Sequence, residues 1–146
     1  MPHRRIYIAC PRAHTDRALA FASSVRLLGM EVASTWHDTA PADAPEPTDR
    51  DEARAILARN CADLLSADVL VALLCDMHGR ETYVELGRWL ALRCGPTLLV
   101  TRGAVPLSWA QDGVDVVPDV ATACRALAGL ASMRSALDSY REGVAS

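Results

Sequence analysis

The residue whose chemistry has to be decided first is Glu85, in the stretch "GRETYVELG" at 79–87. Thr82-x-x-Glu85 fits a capping box. The Thr82 hydroxyl would accept from the N–H of residue 85, and the Glu85 carboxylate would reach back to the N–H of Thr82. The other reading is chemical. A carboxylate in the first turn of a helix is favoured in its ionised form by the positive helix end. Held charged in a partly dry cleft, it suits a nucleophile that attacks an electron-poor carbon, such as an anomeric centre. The two readings are compatible, since a helix-start glutamate can give up its cap and react.

Other polar residues are placed with it. Tyr7 lies in a β-rich apolar run, where it is either a core aromatic with a wet tip or a hydroxyl that holds a carboxylate in line. Asn60 falls on the inward stripe of Ala53, Ile56/Leu57, Asn60 and Leu64. A buried amide needs partners, so it either bridges backbone or contacts a substrate. Asp68 opens a strand at the end remote from the expected crevice and reads as a strand-entry residue. Asp76, His78 and Gly79 form the loop just before Glu85, within reach of a ligand or simply solvated. Trp36 and His37 end the second strand, where they can stack on a planar ring or belong to the core.

The elements that position these groups alternate. "RRIYIAC" reads as a first strand. "HTDRALAFASSVRLLG" has helical spacing at Leu19, Ala22, Val25 and Leu28 and stops at Gly29. "MEVASTW" is a second strand. "HDTAPADAPEPTD" carries three prolines and four acids and reads as a long loop. "DRDEARAILARNCADLLSA" is a helix with an acidic first turn. "DVLVALLC" is a near-continuous apolar run, as a central parallel strand requires. "TYVELGRWLALRC" is the next helix. "PTLLVT" and "VDVV" are strands four and five, and "DVATACRALAGLASMRSALDSYRE" is helical with a break near Gly129. The pattern predicts an α/β fold: a doubly wound, five-stranded parallel sheet in flavodoxin-like order 2-1-3-4-5, with helices on both faces. Ligands in such sheets bind outside the carboxyl ends of the strands, at the switch between strands one and three. Three loops meet there: 10–16, 36–48 and 76–82.

Bulk composition narrows the classes. At 146 residues the chain makes one domain, 1–146. It is 51% hydrophobic and 23% charged, with net charge −3 and pI near 5.7. No Lys/Arg stripe exists, which argues against a nucleic-acid partner. No apolar run is long enough to span a membrane. The "MPHRRIYIAC" start has no cleavage site and is not read as a signal peptide. Five cysteines, an odd number without CxxC spacing, point to a reducing cytoplasm. The four histidines share no metal-ligand spacing, so no metal is expected. GxGxxG and GxxxxGK[ST] are both missing, and no cofactor is expected.

"YIACP" near the start, followed by "ADVLVALLCDMHGRETYVELGRWLALRCGPTLLV", resembles the nucleoside 2-deoxyribosyltransferase family, which includes the nucleoside 5′-monophosphate N-glycosidases. The family shows Y-x-A-G-P at strand one, a strand opened by Asp, and a G-x-G-x-x-x-E-x-G-type helix start. The resemblance covers roughly residues 5 to 101. It implies that Glu85 is the nucleophile of a glycosyl-enzyme, that Tyr7 positions it, and that another nucleobase or water resolves the intermediate. It also implies a nucleoside or nucleotide ligand, Cys10, Pro11 and Arg12 beside the site, and at least a homodimer.

The departures are specific. Asn60 stands where the family commonly has an aspartate that assists the leaving base, and an amide cannot donate a proton as an acid. This opens an alternative, a nucleoside- or nucleotide-binding module without turnover. Cys10 replaces a small glycine. Glu81 replaces a common glycine, sets a second carboxylate near Glu85 and disfavours a substrate phosphate. The Ser-rich phosphate loop of the monophosphate hydrolases is replaced by "PRAHTDR", with Arg12 and Thr15.

Overall fold

In the computed structural model of the chain, Val69–Leu73 forms a strand, β3, with all five residues buried. Such a strand has no solvent face to offer and needs strands beside it and helices on both faces. Its companions are β1 (Arg5–Ala9), β2 (Glu31–Val32), β4 (Thr97–Val100) and β5 (Val114–Val117). All pairings are parallel and the order is β2-β1-β3-β4-β5, as predicted. The structure describes residues 4–39, 45–74, 80–92, 94–103 and 112–144, with side chains through 132.

The helices are α1 (Thr15–Leu27), α2 (Trp36–Thr39), α3 (Arg50–Leu65), α4 (Arg80–Leu92) and α5 (Val120–Val144), with a 3-10 turn at Arg12–His14. α1 packs against α5, and α3 against α4. Right-handed crossovers place the first pair on one face of the sheet and the second pair on the other. α1 buries Ala18, Phe21, Ala22 and Val25, while Leu19, expected inward, is 39% exposed. α1 ends at Gly29, whose φ of +74° lets the Met30 N–H turn back to the Val25 carbonyl. α3 is capped by Asp49, whose carboxylate accepts from the Asp51 N–H at 2.9 Å. On its inward stripe Leu64 is buried, Ala53, Ile56 and Asn60 are half-buried, and Leu57 faces outward.

The second strand is shorter than "MEVASTW" suggested. Beyond Val32 the chain leaves the ladder because side chains take over its hydrogen bonds. Ser34 Oγ accepts from the Ile8 N–H at 3.1 Å, and Asp63 accepts from both Thr35 N–H and Thr35 Oγ1. Trp36 and His37 therefore sit in the single turn of α2, not at a strand end. α5 runs unbroken through Gly129, around which there is open space.

α4 begins at Arg80, two residues before the expected start. Its far half is pinned to the sheet. Trp89 is fully buried, and its Nε1–H is shared between Gly95 O (3.1 Å) and Thr97 Oγ1 (3.0 Å). A Cβ at Gly95 would stand 2.5 Å from the Asp68 carbonyl oxygen, so no side chain fits at this crossing. Asp68 also fills the expected strand-entry role: its carboxylate accepts from the Arg5 N–H at 2.8 Å.

Candidate active site

β1 buries Tyr7 completely. Strand alternation turns its ring toward the α3/α4 face and turns Ile6 and Ile8 the other way. There the Tyr7 hydroxyl donates to Glu85 Oε1 at 2.7 Å. Glu85 is the sixth residue of α4, past the first turn, and its residue surface is only partly covered. The macrodipole effect falls off within that first turn, so the expected pull toward the ionised form is not what governs this carboxyl. Burial dominates and pushes its pKa up to about 7. The Tyr7 hydrogen bond and the Arg88 guanidinium work against this, and Glu81 adds to it. Burial next to a carboxylate raises the Tyr7 phenol as well, so the phenol remains the donor.

The capping box is not formed. Thr82 lies inside α4 and is 1% exposed, and its Oγ1 has no hydrogen-bond partner among the described residues. Glu85 Oε1 is turned to Tyr7, not back along its own helix.

Asn60 reaches the α3–α4 side of the sheet, and its Oδ1 is buried without a partner among the described residues. It does not bridge backbone through that atom. Beside it, Cys61 Sγ accepts from Arg88 Nη1 at 2.8 Å. Glu81 is exposed, one turn before Glu85.

At the carboxyl end of β1, Cys10 and Pro11 are buried. Pro11 O accepts from the His14 N–H, and the Thr15 hydroxyl donates to Arg12 O at 2.7 Å, which closes the 3-10 turn. Arg12 is half-buried, with Nε unpartnered among the described residues. Asp76, His78 and Gly79 lie outside the described residues.

Trp36 and His37 belong to the interior. The Trp36 Nε1–H donates to Ile8 O at 2.8 Å. His37 is 2% exposed, with Nε2 3.0 Å from Ser34 Oγ and Nδ1 3.3 Å from Asp38 Oδ1. Because Ser34 Oγ already accepts from Ile8 N–H, every donor is used when Ser34 donates to Nε2 and Nδ1–H donates to Asp38. Burial lowers the His37 pKa and favours this neutral ring. The Ser–His–Asp order looks like a nucleophile relay, but Ser34 is 1% exposed and carries a backbone bond, so it braces β1 against α2. A shallow hollow lined by Arg26, Gly29, Met30, Glu31 and Val32 lies at the α1–β2 turn, away from Glu85.

Sequence reasoning missed Cys61 and Arg88. Arg88 was accessible from spacing, three residues after Glu85 on one helix. Its bond to Cys61 depends on the register of α3 against α4, which no local pattern encodes. No described helix is long and apolar enough to cross a membrane.

No protein-family model matches the sequence, and no curated protein does. The fold matches a solved 2-deoxyribosyltransferase from the psychrotolerant bacterium Bacillus psychrosaccharolyticus. The TM-score is 0.63 at 20% identity, covering 82% of this chain and 89% of that one. At that identity, the two chains share a fold.

Proposed function

We propose that the chain cleaves the N-glycosidic bond of a (deoxy)nucleoside or nucleoside monophosphate through a glycosyl-enzyme on Glu85. The observation that carries this reading is the 2.7 Å bond from Tyr7 Oη to Glu85 Oε1, in a carboxyl drawn out of water. The 2-deoxyribosyltransferase of the same fold supports the substrate class. With Oε1 held by Tyr7, Oε2 attacks the anomeric carbon. The C–N bond breaks, its electron pair leaves with the base, and the base takes up a proton. A second base or a water then attacks the same carbon, loses its proton and releases the carboxylate. The reacting form is the ionised one, so turnover rises with pH through about 7.

A second copy of the chain fits the α3/α4 face. Leu57, Leu65, Val84 and Leu92 are 47%, 59%, 49% and 56% exposed on these two helices, and a homodimer would cover them.

One observation favours a second reading, a nucleoside- or nucleotide-binding module without turnover. Asn60, on the inward stripe of α3, has a buried amide oxygen without a partner among the described residues and no acid function. Incubation with 2′-deoxynucleosides and nucleoside 5′-monophosphates, with and without a second base, separates the two. Free base on chromatography, lost in Glu85→Gln, together with a sugar adduct on the Glu85 peptide after acid quench, supports catalysis. Binding by calorimetry without base release supports the module.

A further inference from the structure

We infer that α2 is an acid-released strap: uptake of a proton by His37 detaches the turn Trp36–Thr39 from β1 and bares the outer edge of that strand at Ile8. The device is independent of what reacts at Glu85. The register of β1 with β2 ends at Ile6 and Val32, and the Ile6 carbonyl accepts from the Ala33 N–H. The next position on that edge of β1 is Ile8, and side chains hold it. The Ile8 N–H donates to Ser34 Oγ at 3.1 Å, and the Ile8 carbonyl accepts from the Trp36 indole at 2.8 Å. His37 locks both. Its Nε2 lies 3.0 Å from Ser34 Oγ, and its ring meets that of Trp36 edge to face, with centroids 5.4 Å apart.

The arrangement needs a neutral ring. With Ser34 Oγ accepting from Ile8, the Ser34 proton goes to Nε2. A protonated His37 turns Nε2 into a donor and takes that acceptor away, at residues only 1% and 2% exposed. Among the described residues, the charged groups that act on the ring are Asp38, on its own turn, and Arg26, on α1. Asp38 favours the cation from 3.3 Å, but its side chain is 49% exposed and water screens it. Burial opposes the cation most, and Arg26 adds to that. In the released turn the ring meets water and returns to its ordinary value of 6.5. The released form therefore binds the proton more tightly, and release grows as pH falls through about 6.5. Thr35 stays tied to Asp63 through its N–H and its hydroxyl, which sets the hinge just before α2.

Hydrogen exchange followed by 15N NMR between pH 7.5 and 5.5 tests this, read as protection factors so that the intrinsic pH dependence of exchange cancels. The reporters are the Ile8 amide and the Trp36 indole N–H. The Trp89 indole N–H, bound to Gly95 and Thr97, is the internal control for global unfolding. Protection at Ile8 and Trp36 is expected to fall about three- to tenfold over this range, as release linked to one proton requires, while Trp89 does not follow. The fall disappears in His37→Gln, whose amide oxygen still accepts from Ser34 but takes up no proton. It survives in Glu85→Gln, which removes the other buried group that titrates in this range. Protection at Trp36 that stays flat, or that changes in step with Trp89, overturns the inference. A fall that persists in His37→Gln overturns it as well. Should His37→Gln not fold, Glu85→Gln carries the test. A fall at Ile8 and Trp36 that is lost there belongs to Glu85 and overturns the inference, and one that survives supports it.

Discussion

The Tyr7 hydroxyl and Glu85 Oε1 meet at 2.7 Å across 78 residues of sequence, joining the first strand to the helix that follows the third. The bond exists because β1 and β3 are neighbours, with Tyr7 opposite Leu70, and because α4 crosses back over both. It is also chemically unequal. A buried phenol with a raised pKa donates to a carboxyl that titrates near 7, so the proton between them belongs to the tyrosine.

Removal of that donor is the sharpest test of the pair. Tyr7→Phe leaves a buried carboxyl without its hydrogen bond. A hydrogen bond to a charged group contributes about 1.5–3 kcal/mol, so base release at pH 7 is expected to fall about 10- to 100-fold. The Glu85 midpoint should rise, with part of the rate recovered at pH 9. Steady-state rates at the two pH values check this, and a rate equal to wild type at pH 7 sinks it.

Glu85 also tells on stability. Its folded pKa of about 7 lies above its ordinary value of 4.5. The native state therefore holds this proton more tightly than the unfolded chain does. The contribution is fully present below pH 4.5 and is lost as pH rises through about 7. Glu85→Gln has no such charge to lose. At pH 5 the variant and wild type should melt close together, and at pH 8 the variant should be more stable by up to roughly 3 kcal/mol. Thermal melts followed by circular dichroism at both pH values decide it, and an equal difference at each would contradict the burial of this carboxyl.

Asn60→Asp puts an ionisable group where an amide oxygen lies unpartnered among the described residues. General acid assistance is worth about 10² to 10⁴ in rate. If Asn60 borders the leaving base, base release should rise by at least about tenfold toward that range, and its pH profile should gain a descending limb. An unchanged rate and profile would place Asn60 away from the reacting bond.

Thr82→Val distinguishes a capping hydroxyl from an idle one. Val keeps the shape of Thr and removes a buried oxygen that has no partner among the described residues. The expected outcome is a gain of about 1 kcal/mol in urea unfolding. A loss of similar size would mean that the hydroxyl does cap α4 after all.

The sheet was legible in the sequence because its central strands are runs of apolar residues with nowhere to go but inside. Val69–Leu73 and Thr97–Val100 could be read off directly, and with them the crossing order. The second strand misled because Ser34 and Thr35 look like strand residues yet spend their side chains on Ile8 and Asp63. A single helical turn such as Trp36–Thr39 is too short to show a period. Thr82-x-x-Glu85 is a local cap signal that lost to long-range partners, since burial claimed Thr82 and Tyr7 claimed Glu85. Arg88 and Cys61 are unremarkable in their own segments and gain meaning only where α3 and α4 touch.

The clamp on Trp89 bears on where motion is available. With its indole bound to Gly95 and Thr97, and Gly95 pressed against Asp68, the trailing half of α4 is riveted to the sheet. Glu85 stands one turn from that rivet and cannot travel with a sliding helix. On the proposed function, the acid is then a fixed anvil, and a substrate has to be brought to it.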